Sequence, residues 1–115
     1  MKTPREIIDN QISEADWQRD VVILLSLKGW SVEYIRPGRV IRAGKETYET
    51  PVGADGKGAW DIRAFRERLV IIECKSMMGR LTKSQELWDE RYTRAGIEHY
   101  ILRPQDWDRL LGIAK

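Results

Sequence analysis

Apolar positions along the chain switch between a helical period and a strand period, and the switches mark out the elements. Trp17, Val21, Val22, Leu24, Leu25 and Leu27 recur at helical spacing and predict one broad buried face. Ser13 is placed to cap that helix, with Glu14 and Asp16 in the first turn, where the helix dipole favours acids. Gly29 stops it. Residues 30–35 alternate as a strand that ends at Pro37-Gly38. Residues 59–65 and 69–75 read as two more strands, joined by the charged turn Arg66-Glu67-Arg68. Thr82 with Gln85 three positions on is a capping-box pattern, and it opens a helix that Gly96 ends. Residues 97–102 form another strand, and Pro104 opens a last helix with Trp107, Leu110 and Leu111 on one face.

Two segments fall outside this rhythm. Residues 1–12 read as a loosely docked lead-in to a single domain over residues 13–115. Residues 36–59 are irregular, with Val40-Ile41 and Thr47-Tyr48 as short hairpin strands around Gly44-Lys45. A connection this long in a compact domain is often functional. The order of elements predicts an α/β fold with a central mixed β-sheet flanked by α-helices.

Composition narrows the class. With 115 residues and 42% hydrophobic content, the chain suits one modest core. The apolar run at residues 21–25 is far too short to span a bilayer, so no membrane partner is expected. The N-terminal residues have no apolar h-region, and the single Cys fits a reducing, cytoplasmic setting. The single His argues against zinc fingers, His-based metal nucleases and Ser-His-Asp catalysis. A formal net charge of +2 neither requires nor excludes a nucleic-acid partner, because an acidic metal site hides basic patches from a net count.

The chemistry concentrates between Asp61 and Lys75. Asp61 lies on one apolar strand, and Glu73-Cys74-Lys75 ends the next. Buried charges cost several kcal/mol unless they are paired or hold a metal. Strand alternation puts Glu73 and Lys75 on one face and Cys74 on the other. If Asp61 is on the neighbouring strand, three charged groups converge.

Asp61 followed by Glu73-x-Lys75, after a helical Glu14, resembles the PD-(D/E)xK nuclease superfamily. The flanking residues are similar to the VRR-NUC family, the virus-type replication-repair nucleases. They are Ser13-Glu14-x-x-Trp17-Gln18, Lys28-Gly29-Trp30, Asp61-Ile62, Glu73-Cys74-Lys75-Ser76, Gly79-Arg80-Leu81-Thr82, Gln85-x-x-Trp88, Ala95-Gly96 and Arg103-Pro104-x-Asp106-Trp107. The resemblance spans residues 13–111. One departure is Gly58-Ala59-Trp60-Asp61, where Trp60 stands in place of the family's usual proline.

The resemblance implies a restriction-endonuclease-like core. It also implies a Mg²⁺- or Mn²⁺-dependent endonuclease acting on branched DNA such as a four-way junction, in a bacterial or phage-infected cell. A phosphodiester repels anionic nucleophiles, so such chemistry needs a cation that neutralises charge and acidifies water. Asp61 and Glu73 are the expected ligands, with the Cys74 backbone carbonyl and Glu14 as further ones. Lys75 would handle the attacking water and the developing charge. Gln18 and Gln85 match site glutamines of the family, with Gln18 placed to position a phosphate. Compact stand-alone members resemble junction resolvases, which implies a homodimer presenting two sites.

Each residue also has a plainer reading. Glu73 and Lys75 could be an ordinary pair on an exposed sheet face. The helix dipole explains Glu14 and the capping box explains Gln85. Cys74 reads as a small buried residue, His99 as a strand residue without a catalytic part, and Trp60 as core or DNA-groove lining. Arg36, Arg39, Arg42 and Lys45 are candidate phosphate contacts, as are Arg80 and Lys83 near a helix start; solvated loops are the alternative. Arg63 and Arg66 could face DNA or water. Two other functions compete: a catalytically silent DNA-binding or assembly module, and a restriction- or tRNA-type enzyme on the same core.

Overall fold

A computed structural model describes residues 1–35, 38–49 and 52–115. The elements run α1 (Pro4–Gln11), α2 (Glu14–Leu27), β1 (Ser31–Tyr34), β2 (Gly38–Arg42), β3 (Lys45–Glu49), β4 (Ile62–Phe65), β5 (Leu69–Cys74), α3 (Lys83–Arg94), β6 (His99–Leu102) and α4 (Trp107–Ala114). A 3-10 turn, Pro104–Asp106, leads into α4. Four strands form one mixed sheet in the order β1-β4-β5-β6. Neighbours are antiparallel except β5 and β6, which are parallel and need the α3 crossover. The mixed α/β architecture expected from the sequence is therefore present. No helix among the described residues is long and apolar enough to cross a membrane.

The sheet buries both faces. Ile62, Ala64, Val70, Ile72, Cys74 and Leu102 pack against Trp17, Val21 and Leu25 of α2 and Leu110, Ile113 and Ala114 of α4. Buried indoles keep their N–H groups satisfied: Trp17 Nε1 donates to the Leu102 carbonyl at 2.8 Å and Trp30 Nε1 to the Ala114 carbonyl at 3.1 Å. The opposite face carries a smaller core of Trp60, Ile71 and Tyr92, with Leu69, Trp88, Ile97 and Ile101 around it, under α3.

The structure changes three expectations. The lead-in is largely helix α1, because Thr3 and Glu6 form a reciprocal capping box and Pro4 begins the first turn. Asp9 of that helix is buried and pairs with Arg5 at 3.0 Å. Leu27 is not on the buried face of α2; it is 79% exposed. Two residues beyond Leu25 is roughly 200° around a helix, which turns its side chain away from the core. The expected hairpin forms, but with longer strands, β2 and β3, in register Gly38↔Glu49 to Arg42↔Lys45. Its turn residues Ala43 and Gly44 both have positive φ, the requirement of a tight two-residue hairpin. This ribbon is a separate two-stranded sheet.

Candidate metal and catalytic site

Strand register brings the acids together. β4 and β5 pair Ile62 with Ile72, so one further step sets Asp61 opposite Glu73. Residues directly opposite point to the same face. Lys75, two positions after Glu73, shares that face, and its backbone N–H extends the ladder to the Leu102 carbonyl at 3.1 Å. Asp61 is held by its own carbonyl, which accepts from the Ile35 N–H at 3.0 Å. Cys74 points the other way into the larger core, as its alternation predicts; burial pushes its thiol well up from the ordinary range.

Helix α2 adds the third acid. Glu14 is its first residue, capped by Ser13, and its Oε1 lies 3.8 Å from Lys75 Nζ. The same ammonium is 3.8 Å from Glu73 Oε2. Glu73 is 1% exposed and Lys75 is 7% exposed, so the plainer reading of an exposed sheet-face pair does not hold. Gln85 does two jobs that had been alternatives. Its Oε1 accepts from the Thr82 N–H at 2.9 Å to close the capping box, and its Nε2 reaches Glu73 Oε2 at 3.4 Å.

The electrostatics show crowding of like charge. Glu73 is pushed up to about 8, first by burial and then by Asp61 and Glu14, with Lys75 opposing. Asp61 is raised by burial and by Glu14, again opposed by Lys75. Glu73 Oε1 is buried with no hydrogen-bond partner. A buried oxygen without a donor, among carboxylates that repel each other, fits a hard divalent cation. Among the described residues no three His, Cys, Asp or Glu side chains gather into a ready-made cage. Mg²⁺ commonly takes one or two carboxylates and keeps waters, so Asp61 and Glu73 suffice as the core of a donor set.

Gln18 is 8% exposed and accepts a 2.7 Å hydrogen bond from the Tyr34 hydroxyl. It borders a cavity of about 470 Å³ that Glu14 also lines. Lys45, Arg80 and Lys83 are exposed. Arg36 lies outside the described residues; Arg39 and Arg42 are in β2, with their side chains outside the described set. Arg66 is structural: it donates to the carbonyls of Lys28, Ala114 and Lys115, tying the ends of α2 and α4 together. Arg63 pairs with Glu33 across β1 and β4. His99 bonds Asp89 at 2.9 Å and the Ile97 carbonyl at 2.6 Å, which supports its reading as a structural residue.

Trp60 is core, 1% exposed, and it also borders a cavity of about 230 Å³ together with Asp61. Its Nε1 donates to the Gln85 carbonyl at 3.1 Å and its N–H to the Tyr92 hydroxyl at 3.2 Å. Trp88 Nε1 donates to the Lys57 carbonyl at 2.9 Å. These bonds clamp residues 57–60 onto α3 and so aim Asp61. Gly58 makes the clamp possible: its φ is +83°, and an added Cβ would come within 2.6 Å of the Ser84 backbone. Gly58→Ala should therefore destabilise the fold by about 2–4 kcal/mol, read as a lowered urea midpoint.

Arg103 is the positioning residue whose role the sequence did not reveal. Its guanidinium donates to the carbonyls of Ser76 at 2.5 Å and Gly79 at 2.6 Å, fixing the loop after Lys75. The only sequence signal was its place in the Arg103-Pro104-x-Asp106-Trp107 motif, which carries no chemistry by itself. The chain matches no family model, no curated protein and no solved structure.

Proposed function

We propose that this chain is a divalent-metal-dependent DNA endonuclease of the VRR-NUC type, built on a restriction-endonuclease-like core and acting on branched DNA. The observation that carries the reading is the convergence of Asp61, Glu73 and Lys75 on one sheet face, with Glu14 at 3.8 Å from the ammonium. The order helix, three antiparallel strands, helix and parallel strand, with the hairpin inserted, supports the core assignment.

Asp61 and Glu73 would hold Mg²⁺ or Mn²⁺, with the Cys74 carbonyl and Glu14 completing the protein's share. That cation supplies charge neutralisation at the phosphate and a more acidic water. Lys75 places a positive charge where phosphorane-like charge develops, and it orients the attacking water. Gln85 holds Glu73 by its Oε2 and leaves Oε1 for the cation. The exposed Arg80 and Lys83 at the start of α3, with Lys45 on the hairpin, supply phosphate contacts. A homodimer presenting two sites fits a branched substrate, and the cytoplasm fits the lone buried thiol.

Purified protein with Mg²⁺ or Mn²⁺ should cleave a labelled four-way junction or flap in preference to linear duplex or single strand, and EDTA should stop it. DNA binding without cleavage under every metal condition would point instead to the silent module. Light scattering should give a dimer mass at micromolar concentration; a monomer would remove that part of the proposal.

A further inference from the structure

The cavity beside Glu14 combines polar and aromatic side chains. It measures about 470 Å³ and is bordered by Glu14, Asp16, Gln18, Arg19, Tyr34 and Tyr48. That size lies within the range of sites for single small ligands. Among the described residues that border it, two carboxylates stand beside one guanidinium, and Arg19 is paired with Asp16 at 3.2 Å. The rest of the lining suits a flat, neutral group that donates hydrogen bonds. Tyr34 and Tyr48 are aromatic walls from β1 and β3. Gln18 is deeply buried, and its Oε1 is taken by the Tyr34 hydroxyl, so what it offers a ligand is its amide N–H₂. A nucleobase has an aromatic face, ring acceptors for an amide N–H and amino groups for carboxylates.

Building on the nuclease reading, we infer that this cavity receives one unpaired nucleobase of the DNA substrate, next to the phosphate being cleaved. Glu14 belongs to both places: it borders the cavity and lies 3.8 Å from Lys75. A base seated there puts its own backbone at the carboxylate cluster. The base must leave its pair to enter, so the site selects DNA in which that nucleotide is already unpaired, such as the branch of a flap or junction. The separate ribbon of β2 and β3 then acts as the outer wall, carrying Tyr48, which is 67% exposed.

Anisotropy titrations in Ca²⁺, to limit turnover, test this with three labelled DNAs: a linear duplex, a flap, and the same flap with an abasic site at the branch nucleotide. The wild type should prefer the flap over the duplex by about ten-fold, and the abasic flap should lose that preference. Tyr48→Ala should bring the flap-to-duplex ratio to about one, and Tyr48→Trp should keep it. A preference that survives both Tyr48→Ala and the abasic site overturns the inference and leaves the nuclease reading standing. So does equal wild-type affinity for flap and duplex, provided metal-dependent cleavage is seen. Wild-type protein that binds none of the three DNAs overturns both.

Discussion

Lys75→Met should lower metal-dependent cleavage on the order of 10³-fold or more while the protein stays folded. Lys75 is the cation that opposes the three acids: it lies 3.8 Å from both Glu73 and Glu14, and its charge counters the rise in the Asp61 and Glu73 carboxyls. The residue is 7% exposed, so an apolar side chain of similar length fills the same space. Replacing a buried ion by an apolar side chain is tolerated when the partner left behind can be neutral. Glu73 can be, since it already titrates at about 8. The variant should therefore show native circular dichroism and bind DNA, yet leave a four-way junction or flap intact over hours. Cleavage at about a tenth of the wild-type rate or better would remove Lys75 from the mechanism.

Local signals made the framework legible. The capping box at Thr82 and Gln85, the Ser13 cap and the strand alternation around Glu73 each act over a few residues, and each is found in the structure. The convergence of the charged groups was legible for the same reason: Asp61, Glu73 and Lys75 lie at the adjoining ends of β4 and β5, whose register follows from the short turn between them. What stayed hidden depends on distant packing. Gly58 against Ser84, Trp60 under α3, and Arg103 on the loop at Ser76 and Gly79 join segments that no periodicity links. Arg66 looked like a surface charge because its partners, the carbonyls at two helix ends, leave no trace in a pattern of side chains.

These hidden contacts bear on function. A proline before Asp61 would stiffen the backbone from within. Trp60 achieves rigidity by another route, since its side chain and amide are both bonded to α3. Gln85 on the same helix also touches Glu73. Helix α3 thus holds both acids in one relation, and Trp60 gives the residue before Asp61 a tertiary anchor.

Glu73→Gln should make the metal-free protein more stable above neutral pH and remove its response to Mg²⁺. The sign follows from proton counting. Glu73 titrates at about 8 in the folded chain, against an ordinary value of 4.5. Between those values the folded state keeps a proton that the unfolded state has lost, so stability falls as pH rises. Stabilisation is full below the lower value and gone above the higher one, with a slope on the order of 1 kcal/mol per pH unit between them. Asp61 is also raised and adds a slope of the same sign. A cation that requires the carboxylate displaces the proton, so Mg²⁺ should raise the melting temperature more at about pH 8 than at about pH 6 and release protons as it binds. The uncharged amide of the Glu73→Gln variant cannot lose a proton in this range and ligates Mg²⁺ poorly. That variant's melting temperature should vary less between about pH 6 and pH 8.5 than the wild type's, and millimolar Mg²⁺ should not shift it. Thermal melts of both proteins across that range decide the matter. A wild type whose melting temperature rises with pH without metal, or a Glu73→Gln protein that Mg²⁺ stabilises as strongly as the wild type, would show that Glu73 is not the buried, cation-exchanging acid of this site.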